Sequence, residues 1–351
     1  VPHLSPVPKF CWDKIVQAFQ LGIGRDAQLY YKHTKAFLAE AKKAGKPFFL
    51  MANSQDPHRP FAKSQQEKRR RNAKWPEPSR IYKPKEVSVP GFLPDLPPVR
   101  RENAQYYTSV HRCDDIVGSV LKALKESGQE KNTLVLFLGD HGMALPFAKT
   151  NCYPQSTRTP LIVRWPGTVK AGSVDKEHFV STIDFMPTLL EALGLPRVPK
   201  MDGSSFLPLL KGQKQKSRES VYTVFHRTSG RRDYEMRSVI RGRYGYIYNA
   251  WANGRTLFRN ESQNGLTMRA MHAASRTNQK IAERVQLFLY RVTEELYDYE
   301  KDPDARHNLV RDPDVQPTLR ALRKQMLEEM VKLNDPLEKT FRNHLSSKTK
   351  K

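Results

Sequence analysis

Twice along this chain an amphipathic helical stretch runs into a short, unbroken apolar segment, and both segments stop at side chains that bind metals and anions. Residues 26 to 44 place Leu29, Tyr30, Phe37, Leu38 and Ala41 at helical spacing, and Gly45 with Pro47 ends the helix. Residues 46 to 54 (KPFFLMANS) then read as a strand buried on both faces, closing on Gln55-Asp56-Pro57-His58. The second instance carries Tyr106, Val110, Ile116, Val117, Val120, Leu121 and Leu124 over residues 102 to 127, stops at Gly128, and continues into the run 132 to 138 (NTLVLFL). That run closes on Gly139-Asp140-His141-Gly142. Helix then apolar strand, repeated, predicts an α/β fold with a central, mostly parallel mixed sheet flanked by helices. Ligands in such sheets sit beyond the carboxyl ends of the strands, so Asp56 to His58 and Gly139 to Gly142 become the places to search for a site.

Further along, residues 161 to 165 read as a third apolar strand and 181 to 193 as a helix capped by Gly194. Past residue 219 the pattern changes to alternating strands (221 to 225, 237 to 240, 244 to 248) with helices near 277 to 290 and 315 to 333, which predicts a smaller α+β subdomain. Between these parts, residues 57 to 101 hold nine prolines and twelve Lys/Arg against four Asp/Glu, a net +8. The stretch reads as a long loop, either functional or simply solvated, and its run Lys68 to Arg71 suits a polyanion subsite.

Sixty Lys+Arg against 36 Asp+Glu leave the whole chain at +24, a field that draws polyanions. The basic residues are spread along the length instead of gathered into a recognisable module, which argues against nucleic acid. No apolar run approaches the roughly 20 residues of a membrane span. Three cysteines, Cys11, Cys113 and Cys152, are an odd count and define no disulfide framework. Residue 1 opens on Pro-rich sequence without Met, which reads as an internal start.

The densest chemical signal is Gly139-Asp140-His141-Gly142, then Lys149-Thr150-Asn151, then Ser156-Thr157-Arg158-Thr159-Pro160 before the strand ending in Pro166-Gly167. This order resembles the second metal-binding half of sulfatases in the alkaline phosphatase superfamily. Pro47-Phe48-Phe49-Leu50 followed by Gln55-Asp56-Pro57-His58 is similar to the sulfatase strand whose trailing Asp-Pro-His supplies an active-site histidine, and Val1-Pro2-His3 to the tail of a Gly-Lys-x-His segment. Tyr106 to Asp114, Met236 to Val239, and Glu295-Leu296-Tyr297-Asp298 with Asp302-Pro303 and Asn308-Leu309 are most like the sulfamidase (heparan N-sulfatase) branch.

The resemblance implies hydrolysis of a sulfate ester or sulfamate on a sulfated glycan, with one Ca²⁺ ion and a formylglycine nucleophile, in an exported protein. It divides the chain into residues 1–228, the C-terminal portion of a catalytic domain, and 229–351, a smaller subdomain with antiparallel strands and a terminal helix. Asp140 would hold the metal, as a carboxylate suits a hard cation. His141 would contact sulfate or the metal. His58, Lys149 and His3 would orient sulfate and stabilise the leaving group, and Arg158 either binds the same anion or buttresses its loop. Asp56, before proline, reads as a turn former without a catalytic role. A strand-end Asp-His is also ordinary turn chemistry, and under that alternative Asp140→Ala alters folding but not divalent-metal affinity.

The Cys/Ser-x-Pro-x-Arg segment that becomes formylglycine has no counterpart: Cys152-Tyr153-Pro154-Gln155-Ser156 fails because Ser156 stands where Arg is required. Asp114-Asp115 fall inside a predicted helix and cannot be the paired aspartates of a calcium shell. A truncated enzyme is the favoured explanation over a degenerate homologue. The rivals are a phosphodiesterase or phosphonate hydrolase of the same superfamily and a nonenzymatic polyanion-binding protein.

Overall fold

A computed structural model of the chain describes residues 12–69 and 74–349. His3 lies outside the described residues, as do the last two positions of the run Lys68 to Arg71. The chain forms two compact units. One takes the described residues up to Ser88 together with Arg100–Lys131, and the other takes Val89–Val99 with the described residues from Asn132 onward.

The first unit is helical: α1 (Ala27–Ala44), α2 (Gln65–Arg69) and most of α3 (Pro97–Glu126). Asp26 caps α1 by accepting from the N–H groups of Gln28 and Leu29, and Gly45 closes it at φ 64°, the left-handed geometry that glycine adopts without strain. Tyr30, Thr34 and Leu38 form its buried stripe. The described residues between 57 and 96 are largely irregular apart from α2, as their composition predicts, but the expected loop is shorter than 57 to 101 because α3 already begins at Pro97.

The strand expected at residues 46 to 54 does not form. Phe49 is 64% and Met51 54% exposed, while Phe48 and Leu50 are half-buried, so the segment alternates without pairing. An extended segment becomes a strand only when a neighbour completes its hydrogen-bond ladder, and the first unit has no strand among its described residues.

The second unit contains β1 (Val135–Leu138), α4 (Pro154–Thr157), β2 (Leu161–Arg164), α5 (Phe185–Ala192), α6 (Leu207–Leu210), β3 (Ser220–Arg227), β4 (Asp233–Arg241), β5 (Tyr244–Asn249), α7 (Leu266–Ala274), α8 (Gln279–Tyr290), β6 (Glu294–Asp298), α9 (Gln316–Lys332) and α10 (Glu338–Thr349). The α/β character holds, but strand direction departs from expectation: every pairing among the described residues is antiparallel. β1 pairs with β2, Val135 opposite Arg164 and Leu138 opposite Leu161. Parallel pairing needs a crossover that returns the chain to its starting edge; here residues 139 to 160 double back beside the end of β1 instead. β1 is also less buried than its composition suggests, with Leu138 40% and Ile162 of β2 61% exposed.

The principal core lies against the sheet β3-β4-β5-β6. Leu319, Leu322, Met326 and Met330 make one face of α9, and with Leu337 and Phe341 they pack on Val239, Tyr246, Tyr248 and Leu296. Each such side chain contributes about 1.5–3 kcal/mol on burial. Because side chains alternate along a strand, Glu295 and Tyr297 point to the opposite face from Leu296.

Candidate functional site

The connection from β1 to β2 carries four of the expected residues, and Gly142 shapes it. Its N–H donates to the Ser156 carbonyl at 2.9 Å. A Cβ at that position would stand 1.9 Å from the Gln155 carbonyl oxygen and 2.5 Å from that of Ala148, so only glycine permits this approach. The Gly139 N–H donates to Pro160 O at 3.2 Å and closes the loop's base. One folded-back loop therefore carries Asp140, His141, Lys149 and Arg158.

Asp140 projects from the carboxyl end of β1 with its side chain 87% exposed. Its Oδ1 accepts from the His141 N–H at 2.9 Å, and Oδ2 lies 3.4 Å from His141 Nε2. His141 Nδ1 sits 2.8 Å from the Gly142 carbonyl. A carbonyl only accepts, so Nδ1 carries the proton in this contact and Nε2 is the ring atom turned toward the carboxylate.

Lys149 is more enclosed, its side chain 12% exposed, and its ammonium donates to Glu261 Oε1 at 2.8 Å. The flanking backbone is strained, since Phe147 and Thr150 take φ of 68° and 62° although neither is glycine. Contacts from distant sequence hold it there. Asn260 Nδ2 donates to Thr150 Oγ1 at 2.6 Å and to Lys149 O at 3.3 Å, and Asn151 Nδ2 donates to Lys149 O at 2.9 Å. Tyr153 OH donates to Glu295 Oε2 at 2.6 Å; Glu295 is fully buried and also accepts from Tyr297 and Asn249. The guanidinium of Arg284 lies 3.7 Å over the Phe147 ring, and that of Arg291 4.8 Å over Tyr153. Cation–π contacts of this kind strengthen when desolvated. Sequence reasoning missed Glu261, Asn260, Arg284 and Arg291, because no local periodicity links them to residues 147 to 153.

Arg158, the C-cap of α4, is exposed, its N–H donating to Pro154 O. The loop brings it into the same connection as Lys149.

His58 belongs to the first unit, apart from those four residues in the division of the chain. Its ring is exposed and Nδ1 lies 2.7 Å from the Arg59 carbonyl. Its backbone is fixed from below: Arg25 donates to His58 O and Pro60 O, each at 3.0 Å. Arg25 in turn pairs with Asp56 Oδ1 at 3.2 Å, and Arg112 grips the same carboxylate at 2.6 and 3.2 Å while reaching Glu67 at 3.0 Å. Burial pushes the Asp56 carboxyl above its ordinary range, against the opposing pull of Arg112 and Arg25. Asp56 is thus the anion that anchors the His58 turn. Asp114 and Asp115 lie within α3, where Asp115 accepts from the N–H and hydroxyl of Ser79.

Two chemical requirements can be tested against these residues. A Ca²⁺ ion takes six to eight oxygen ligands. Among the described residues no group of three or more His, Cys, Asp or Glu is placed to hold a metal, so Asp140 with His141 does not complete a shell. A nucleophile needs an accessible, ionisable group. Cys152 is 1% exposed with its Sγ toward Thr223 O, and burial pushes its thiol up to about 12. Burial also raises the Cys113 thiol. Neither is an activated nucleophile.

Residues 9–195 match the family model described as Sulfatase, and residues 139–261 the one described as N-sulphoglucosamine sulphohydrolase, C-terminal. The chain is 31% identical to an ulvan-active sulfatase of Formosa agariphila over 74% of this chain and 43% of that protein. It is 29% identical to N-sulphoglucosamine sulphohydrolase of Homo sapiens over 83% of this chain and 62% of that protein. The chain thus spans less than two-thirds of the length of these curated relatives. Among solved structures, it aligns with a protein in complex with its substrate D-glucosamine-2-N,6-O-disulfate at a TM-score of 0.62 and 18% identity, covering 89% of this chain and 71% of that one. At that identity the likeness speaks to the fold.

Proposed function

Because the chain belongs to the sulfatase family, we propose that it carries part of a hydrolase site for sulfate esters or sulfamates on sulfated glycans. The observation that supports this most directly is the loop pinned at Gly142, whose single connection between two paired strands carries an exposed carboxylate–imidazole pair, an ammonium and a guanidinium. In this proposal Lys149 binds the sulfate group as a point charge, and Arg158 lends a second positive charge on the same loop. His141 and His58, with His3 outside the described residues, donate to sulfate oxygens or protonate the leaving atom. Asp140, with His141 beside it, faces a calcium ion whose remaining ligands these residues do not supply. Formylglycine as nucleophile and export of the protein are family-level expectations carried forward as part of the same proposal. No helix among the described residues is long and apolar enough to cross a membrane.

The test is a calorimetric titration of the chain with N-acetylglucosamine 6-sulfate and N-sulfoglucosamine. Lys149→Met should weaken both by at least roughly tenfold, the scale of one charge-assisted hydrogen bond. Unchanged affinity would remove Lys149 from the site. Tighter binding of the corresponding phosphate diester would favour a phosphodiesterase. Binding to sulfated polysaccharide that depends steeply on salt but not on Lys149 would favour a polyanion-binding protein.

A further inference from the structure

Lys149 stands in a largely enclosed position with a carboxylate at its ammonium. Glu261 stands at the start of a 3-10 turn, Glu261–Asn264, whose entry is tightly specified: Asn260 N–H donates to the Gln263 side chain at 3.2 Å, Ser262 Oγ donates to Asn260 Oδ1 at 2.7 Å, and Gln263 Nε2 donates to Phe258 O at 3.0 Å. Ser262 is fully buried. The same Asn260 donates to the Lys149 carbonyl and to the Thr150 hydroxyl. One turn therefore fixes both the loop that carries the ammonium and the carboxylate 2.8 Å from it, with side chains 12% and 31% exposed.

We propose that Glu261 is a specificity-determining residue that makes the anion position at Lys149 favour a monoanionic sulfate ester or sulfamate over a dianionic phosphate monoester or free sulfate. The proposal rests on Lys149 being the cation that receives the substrate's anionic group. Sulfate esters and sulfamates carry one negative charge. A phosphate monoester carries close to two at pH 7, its second pKa lying near 6. The cost of stripping water from an anion grows with the square of its charge, whereas attraction to a fixed cation grows linearly. A lone ammonium can offset the larger cost of a dianion; an ammonium with a carboxylate 2.8 Å from it offsets much less. The same filter discourages retention of free sulfate, the dianionic product of sulfate hydrolysis.

A second negative charge about 5 Å from the Glu261 carboxylate, in a partly hydrated site, implies a discrimination of roughly three- to tenfold. The experiment compares N-acetylglucosamine 6-sulfate with N-acetylglucosamine 6-phosphate by calorimetric titration at pH 7.5 and pH 5. For the unaltered chain the sulfate should bind more tightly at pH 7.5, and the gap should narrow at pH 5 as the phosphate becomes a monoanion. Asp140, His141 and Arg158 on the loop and Arg259 beside Glu261 also carry or acquire charge. The 6-sulfate, monoanionic across this range, reports their contribution. Glu261→Gln should reduce the pH 7.5 preference three- to tenfold, and Glu261→Asp should retain it, which separates charge from packing. If Glu261→Gln leaves the preference unchanged while Lys149→Met abolishes sulfate-ester binding, the filter is refuted and Lys149 stands. If Lys149→Met leaves that binding intact, the site assignment falls and the filter with it.

Discussion

Asp56→Ala removes one carboxylate from a site where two guanidinium groups depend on it. The Asp56 side chain is fully buried, and those of Arg25 and Arg112 are 1% and 2% exposed, so neither cation can turn to water without opening the unit. Breaking a buried pair by deleting one partner costs about 3–5 kcal/mol, because a desolvated charge is left uncompensated. Here the low end applies. Arg112 keeps Glu67 and the Pro76 carbonyl, each at 3.0 Å, and Arg25 keeps the carbonyls of His58 and Pro60 and the face of Trp75 at 5.1 Å. A loss of about 3 kcal/mol corresponds to roughly two powers of ten in the opening equilibrium. Hydrogen exchange followed by mass spectrometry should show that loss of protection in peptides from α1 and α3 and not in those from β4 to β6. Adding Arg112→Met should deepen the loss, since the buried Glu67 carboxylate then loses its guanidinium partner as well. A change below about 1 kcal/mol in the single variant, or equal losses in both units, would show that Asp56 does not anchor the His58 turn.

Two further outcomes follow from groups in the second unit. Gly142→Ala drives a methyl into the Gln155 and Ala148 carbonyls, so it should lower stability by about 1–3 kcal/mol and weaken sulfated-sugar binding; a melting temperature within a degree of the unaltered chain would contradict the packing. Asp335 is opposed by burial, but Arg237 at 2.5 and 2.8 Å, the Leu337 N–H and Tyr222 outweigh it and hold its carboxyl below the ordinary value of 3.8. A depressed pKa contributes stability that is present above the unfolded value and lost as pH falls through the folded one. Urea midpoints should therefore fall more steeply below about pH 4 for the unaltered chain than for Asp335→Asn, and parallel curves would refute the assignment.

Local rules carried the sequence reading as far as local physics decides structure. Asp26 and Gly45 mark the ends of α1 because a cap and a left-handed stop act within a few residues. The helix read near 315 to 333 forms as α9, with Leu319, Leu322, Met326 and Met330 as the buried stripe the structure reveals. The segment 46 to 54 shows the limit: its apolar run is strand-like, but a strand is a property of two segments, and the run alone could not reveal whether a neighbour exists. Cys152 was rejected as a nucleophile from the missing arginine four residues on, and its burial at 1% exposure gives a second, independent reason. Glu261 and Asn260 were invisible because nothing within a window of helix or strand length ties them to Lys149; only the folded loop does.

That last gap explains how the loop holds its shape. β1 and β2 are four residues each, and a two-stranded ribbon of that size is at best marginal by itself. The connection between them also keeps Phe147 and Thr150 in left-handed conformations that cost of order 1–3 kcal/mol each. The stability to hold that strain comes from the four-stranded sheet. Tyr153 reaches Glu295 on β6, Asn260 grips Thr150, and Arg284 and Arg291 cover Phe147 and Tyr153 from α8 and its C-cap. The placement of Lys149 is thereby coupled to residues more than a hundred positions away in sequence. Changes at Glu295 or Arg284 belong with changes in the loop, and the four-stranded sheet is a structural support of the proposed anion position.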